Sequence, residues 1–296
     1  MLAPEIEEEL RYVEIAASRR IRSMRFGQTR SPLKGTGYDF ETHRKYELGE
    51  DLRRVDWNVS ARMQDLFTKR QFEEKEVTVF LAVDVSRSMD FSTTHYSKRL
   101  RMLQVAATLG FSAVSDNCNF GYMAFSDQIE AFEPPRMGRA HVWRAIEQLY
   151  SLQPQSRRTD WGKALVFLRS RLRRMAMIFL LSDFIVDPEL DSLSDMPDLK
   201  VLAQKHDVVP IIFGDQLENN LPSGHGLLRF RSPESGREMV LSLSSAQWKD
   251  YTALVKDRKS DLQDLFYSLG MECLFLEVGE PFLDPLMMLF ERRRKV

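Results

Sequence analysis

Cysteine is nearly absent: Cys118 and Cys273 are the only two among 296 residues. They are far apart in apolar surroundings and form no CxxC pair, so they read as reduced, buried thiols of a reducing compartment, with a bridge between them left open. Histidine is almost as sparse. The five residues, His43, His95, His141, His206 and His225, form no HxH or HExxH and read as surface or loop positions. Long apolar runs are missing too. The longest, MAMIFLL at 175–181, suits a buried strand and falls far short of the roughly 20 residues that cross a bilayer. The first ten residues, MLAPEIEEEL, lack the basic and apolar regions of a signal peptide. These absences predict a soluble, cytoplasmic protein.

Charge of one sign is also lacking. Lys and Arg number 42 against 43 Asp and Glu, a formal net charge of −1. No global electrostatic case for nucleic-acid or membrane binding follows; only local patches count. Several chemistries lack their motif: there is no GxSxG elbow, no GK[ST] phosphate loop and no dinucleotide fingerprint in GTGYDF. DVSRS has no second Asp of the kind a DxDx phosphatase nucleophile motif needs.

What is present is a chain that is 43% hydrophobic, enough for one large α/β unit and an appendage. Residues 4–24 have helical periodicity, with Leu10, Val13, Ala17 and Ile21 three or four apart. A basic run follows from Arg19 to Lys34, read as a solvated helix face and loop rather than a nucleic-acid site, for want of interleaved aromatics. Leu52, Val55, Val59 and Met63 fit a short helix, and Leu66, Thr68, Arg70 and Phe72 alternate like an edge strand. Arg53, Arg54, Asp56, Trp57 and Arg62 crowd this segment, as an ion-pair network or a recognition surface.

From residue 77 strands and helices alternate. Apolar runs at 77–84, 119–126, 175–183, 207–214 and 271–278 are separated by amphipathic helices, with a β-hairpin near 226–244. That pattern predicts a doubly wound, mostly parallel α/β sheet with helices on both faces, preceded by an N-terminal helical and extended appendage. The boundaries expected are 1–76 for the appendage, packed on the main domain, and 77–296 for the α/β domain.

In such folds ligands sit at the carboxyl ends of the strands. Three groups fall there: Asp84, Ser86 and Ser88 past the first strand, Thr159 in the loop RRTDWG, and Asp183 closing MAMIFLLSD. All offer hard oxygen donors, an inventory that suits Mg²⁺ or Mn²⁺. Each alone has a plainer reading: DxSxS arises by chance, Thr159–Asp160 suits an N-cap, and Asp183 could cap a turn. Their combination at one sheet edge is what carries weight.

DVSRSM, RRTDWGKAL and IFLLSD together resemble a von Willebrand factor type A domain with a complete metal-ion-dependent adhesion site. The resemblance implies that Asp84, Ser86, Ser88, Thr159 and Asp183 surround a metal, some through water, and that a partner's acidic side chain fills the last position. Upstream, GTGYDFETHRKYELGEDLRRVDWNVSAR is similar to the signature of the bacterial domain-of-unknown-function family 58, matching at Gly35, Gly37, Phe40, Arg44, Tyr46, Gly49, Asp51, Arg53, Asp56, Trp57, Ser60, Ala61 and Arg62. Glu50 and Val55 are mild variants. That resemblance implies a vWA-like domain acting as an adaptor or co-chaperone beside a MoxR-type AAA+ ATPase. The expected function is thus a non-catalytic, metal-dependent protein-interaction module that binds Mg²⁺ weakly without its partner. Two alternatives stand beside it. One is a Mg²⁺- or Mn²⁺-dependent hydrolase of a phosphate-containing substrate, with Asp90, His95 and Asp160 as conceivable acid/base groups. The other is a nucleic-acid module using the basic 19–34 run and the terminal RRRK.

Overall fold

The computed structural model describes residues 3–20, 39–46, 55–63, 65–72, 77–185, 197–219, 226–231, 233, 236 and 238–295. In chain order the elements are α1 (Pro4–Arg20), β1 (Asp39–Lys45), α2 (Trp57–Met63), β2 (Phe67–Phe72), β3 (Thr78–Asp84), a 3₁₀ turn (Arg87–Asp90), α3 (Lys98–Ser115), β4 (Asn119–Phe125), β5 (Ile129–Arg136), α4 (Arg139–Ser151), α5 (Trp161–Arg171), β6 (Met177–Ser182), α6 (Pro197–Lys205), β7 (Asp207–Gly214), α7 (Gln216–Asn219), β8 (Leu227–Arg231), β9 (Glu238–Ser242), α8 (Ala246–Ser268), β10 (Leu274–Glu277) and α9 (Leu283–Lys295). They form two compact units: Met1–Phe26 with Val77–Val296, and Gly27–Glu76.

The larger unit is built on a six-stranded sheet of order β10-β7-β6-β3-β4-β5. Every neighbouring pair is parallel except β4–β5. Numbered within the sheet, this is the 3-2-1-4-5-6 order of doubly wound folds. The mostly parallel α/β architecture expected from the alternating runs is therefore the observed one. The strand period of two sorts its residues between two cores. Val79, Leu81 and Val83 of β3 join α1, α3, α4 and α9, while Phe80 and Ala82 join α5, α6 and α8. All six residues of β6 are buried, which explains why its sequence stays apolar from Met177 to Leu181 rather than alternating.

Helix α1, grouped by sequence order with the appendage, packs on α3 in the larger unit. Leu10 and Val13 are buried there, and Glu14 accepts a hydrogen bond from Arg139 Nη2 at 2.8 Å. The α3–α4 contact needs Gly110: a Cβ there would stand 2.7 Å from Val142 Cγ1. The β8–β9 hairpin pairs Leu228 with Leu241.

The smaller unit pairs β1 with β2 antiparallel, with an irregularity between Phe40 and Thr42. The polar strand DFETHRK was not expected from its pattern. The short helix starts later than its apolar spacing implied. Asp56 Oδ1 accepts from the Asn58 and Val59 N–H groups at 3.1 and 3.3 Å and so fixes the helix start, while buried Val55 bridges Thr68. Leu52 lies outside the described residues.

Two histidines expected at the surface are buried instead. His141 Nε2 lies 2.9 Å from the Phe120 carbonyl, and His206 Nδ1 accepts the Ala176 N–H at 3.2 Å. Burial, aided by Lys205, pushes the His206 pKa down to about 4. The unfolded chain titrates near the ordinary value of 6.5, so it binds the proton that the folded chain refuses. This contribution is complete above pH 6.5 and falls away as pH drops through about 4, worth up to about 3 kcal/mol. Urea unfolding at pH 7.5 and 4.5 should show a smaller acid loss in His206→Gln than in the parent chain; equal losses would exclude His206 as the cause.

Candidate functional site

The sheet order reverses between β3 and β6, and that crevice receives most of the oxygen-bearing candidates. β3 ends in Asp84 and β6 in Ser182, followed by Asp183. Asp84, Ser86, Ser88 and Asp183 are each at most 1% exposed. Asp84 Oδ1 accepts the Ser86 N–H at 2.9 Å, a turn that bends the chain back beneath the strand end. Asp84 Oδ2 accepts from Ser182 Oγ at 2.6 Å, tying β3 to β6. The Ser86 and Ser88 hydroxyls lie 3.1 Å apart, so these alternate positions face one another. Asp183 Oδ1 accepts the Ile185 N–H at 3.0 Å.

Thr159, 8% exposed, sits just before α5. Its loop is held to the Asp84–Ser88 loop by the Arg87 N–H donating to Arg157 O at 3.1 Å, and to the end of β4 by the Asp160 N–H donating to Ser126 O. The N-cap of α5 is Asp160, which accepts from the Lys163 N–H at 3.0 Å, so capping explains Asp160 and leaves the burial of Thr159 to other causes. Aromatic rings join the same loops. Trp161 stacks on Phe184 at 4.8 Å and 3°, and meets Phe125 edge-on at 4.7 Å.

The electrostatics are those of a site carrying excess negative charge. Burial first, then repulsion from Asp183, pushes the Asp84 pKa up to about 6 despite its hydrogen bonds. An ammonium that the sequence motifs do not include lies beside Asp183: Lys98, fully buried at the start of α3. Its Nζ lies 2.7 Å from Asp183 Oδ2 and 2.7 Å from Glu218 Oε1. Burial pulls the Lys98 pKa down, but Asp183 and Glu218 outweigh it and hold the pKa above its ordinary value. Arg258 of α8 caps the Asp183 carbonyl. Asp215, past β7, accepts from Thr93 N and Thr93 Oγ1 at 2.8 and 2.6 Å. The sequence does not single Lys98 out: α3 opens KRLR, so the lysine is one of three basic residues opposing the helix dipole in its first turn.

The donor set fits a hard divalent cation. It comprises two carboxylates close enough to repel and two mutually facing hydroxyls, with each ionised carboxylate keeping spare lone pairs. Among the described residues no group of three or more His, Cys, Asp or Glu is arranged to hold a metal, so a cation here would need hydroxyls and water beside Asp84 and Asp183. The groups considered for acid/base work have other engagements. Asp90 pairs with Arg99 at 3.7 Å, His95 is exposed, and Asp160 caps α5.

In the smaller unit Trp57 is 63% exposed, Arg62 is exposed, and Tyr46 and Asp56 are half-buried. Arg44 lies on β1; Asp51 and Arg53 lie outside the described residues. Among the described residues no helix is long and apolar enough to cross a membrane.

A doubly wound α/β domain with buried oxygen donors gathered at its switch point defines the class. The chain belongs to the family described as "protein of unknown function DUF58", whose model matches residues 42–261. It is 25% identical over 294 residues to the uncharacterized proteins Rv1480 of Mycobacterium tuberculosis and Mb1516 of Mycobacterium bovis, covering 99% of this chain and 91% of each relative. Among solved structures it is similar to the conserved hypothetical protein BatB from Bacteroides thetaiotaomicron (TM-score 0.42, 15% identity, 74% of this chain and 98% of that one). It is also similar to the VWA domain of SpRpn10 (TM-score 0.38, 9% identity, 74% and 95%).

Proposed function

We propose that this protein is a non-catalytic, metal-dependent protein-interaction module of the cytoplasm. The observation that carries the reading is the burial of Asp84 and Asp183 beside the facing Ser86 and Ser88 hydroxyls at the sheet's switch point. Two buried carboxylates that repel each other are stabilised by a cation between them. In this reading Asp84, Ser86 and Ser88 hold Mg²⁺ or Mn²⁺, with Asp183 and Thr159 contributing directly or through water. A bound cation supplies an open coordination position for an acidic side chain of a partner. The family resemblance supports a MoxR-type AAA+ ATPase as the partner, with this chain as its adaptor. The signature residues Arg44, Tyr46, Asp51, Arg53, Asp56, Trp57 and Arg62 are read as partner-binding or structural positions of the family.

The test is an affinity capture from native lysate with Mg²⁺, with EDTA, and with Asp84→Ala, reading bound proteins by mass spectrometry and the fold of each bait by circular dichroism. An AAA+ ATPase should be retained only with metal and intact Asp84, and its recovery should fall at least about tenfold in the other two arms. Equal recovery in all three arms would move the contact away from the crevice and end the metal-bridged reading.

A further inference from the structure

We infer that Lys98 is a positioning residue that sets how tightly the crevice takes a divalent cation, keeping the free site weak and anion-seeking; this rests on the metal-site reading above. The inference starts from the salt-bridge geometry. Lys98 Nζ is 0% exposed and stands 2.7 Å from Asp183 Oδ2, so the chain already carries one cation against a candidate ligand. The ammonium is shared: Glu218 Oε1 is at the same distance and is 22% exposed. Glu218 is itself anchored, its Oε2 accepting the Asp215 N–H at 3.1 Å. The lysine is thus held from both sides, with α3 supplying the stem and α7 the second carboxylate.

The charge count gives the consequence. Asp84, Asp183 and Lys98 sum to −1 when all are ionised, where two carboxylates alone would sum to −2. Adding a divalent cation takes this inner set to +1 instead of to neutrality, and the nearest charge left to offset that excess is Glu218, on the far side of Lys98 and 22% exposed. In a buried crevice that excess is costly, and an incoming carboxylate cancels it. Lys98 therefore opposes metal capture by the free chain and favours capture together with an anionic group. It also orients Asp183: the ammonium fixes Oδ2 while the Ile185 N–H fixes Oδ1, so the carboxylate plane is set before any metal arrives. Glu218 tunes the effect, because an ammonium shared with a second carboxylate presses less strongly on Asp183.

The experiment titrates the full-length chain with Mn²⁺ alone, following bound metal by electron paramagnetic resonance and the metal-induced rise in melting temperature. Lys98→Met should bind Mn²⁺ at least about tenfold more tightly than the parent, and Lys98→Arg, which keeps the charge, should stay within about threefold of it. Glu218→Gln should shift affinity the other way, toward weaker binding. That variant carries the test if Lys98→Met does not fold without metal. Adding acetate should tighten Mn²⁺ binding in the parent more than in Lys98→Met. Affinity unchanged or weaker in Lys98→Met, or tighter in Glu218→Gln, would overturn the role of Lys98 while leaving the metal site standing. Absence of Mn²⁺ binding in the parent and every variant, with Asp84→Ala as baseline, would overturn both readings together.

Discussion

Asp84→Asn is expected to raise the stability of the metal-free chain by up to about 3 kcal/mol at pH 8. The site explains the direction. Asp84 is 1% exposed, and burial with the nearby Asp183 lifts its pKa from 3.8 to about 6. A group whose folded pKa is raised is easiest to fold in its protonated form; that advantage is complete below pH 3.8 and is lost as pH rises through about 6. Above pH 6 the folded chain bears the cost of a buried carboxylate that the unfolded chain does not. Asparagine removes the charge and keeps the shape. Its Oδ1 can still accept the Ser86 N–H, and its amide can donate to Ser182 Oγ, which now donates to Asp84 Oδ2. The gain should shrink toward zero as pH falls through 6, where the parent carboxylate protonates. The same variant should lose all Mn²⁺-induced stabilisation. Urea unfolding in EDTA at pH 8 and pH 5 decides the matter: an Asp84→Asn chain less stable than its parent at pH 8 would mean Asp84 contributes to the fold rather than burdening it. A chain that gains stability on losing this carboxylate and loses its response to Mn²⁺ would carry the stability–function trade expected of a functional residue.

The sequence announced the sheet and its edge more clearly than the interior of the site. Apolar runs such as VTVFLAVD and MAMIFLL read directly as buried parallel strands, and the positions of Asp84 and Asp183 followed from where those runs end. Strand DFETHRK stayed hidden because its residues carry neither apolar continuity nor clean alternation; pairing with β2 forms it. The start of α2 was misplaced because Val55 matched the helical spacing, while Asp56 captures the first N–H groups and leaves Val55 to bridge Thr68. His141 and His206 were read as surface groups because no local pattern reports burial set by α3, α4 and α6 packing. Lys98, Ser182 and Glu218 escaped for a related reason. Lys98 meets Asp183 across 85 residues of chain, Ser182 meets Asp84 across 98, and Glu218 joins them through Lys98 across 120, separations that motif spacing cannot bridge.

Trp161→Ala is expected to cost about 3–5 kcal/mol of stability and to weaken Mn²⁺ binding at least about tenfold. The two effects have one cause. Trp161 follows Thr159 by two residues, Phe184 follows Asp183 by one, and Phe125 pairs in register with Asp84. The indole lies flat on Phe184 and edge-on to Phe125, and Phe184 meets Phe266 of α8 at 5.2 Å. These rings fasten the start of α5 and the Asp183–Phe184 segment to the end of β4, the strand paired with β3 at Asp84. Truncating the indole opens a cavity at a 1% exposed position, and the surrounding strands are too well packed to collapse into it fully. Loops freed by even a fraction of an ångström hold a small, geometry-demanding cation poorly. Trp161→Phe separates packing from polarity. The indole Nε1 has no acceptor among the described residues, so phenylalanine removes an unpaired buried donor while keeping a ring against Phe184. That variant should lose less than about 1.5 kcal/mol and keep Mn²⁺ affinity within about threefold. Chemical unfolding and Mn²⁺ titration, both well below the melting temperature of the alanine variant, give the comparison. A Trp161→Ala chain that is destabilised yet binds Mn²⁺ as the parent does would show that the loops keep their geometry through the backbone bonds Arg87–Arg157 and Asp160–Ser126 alone.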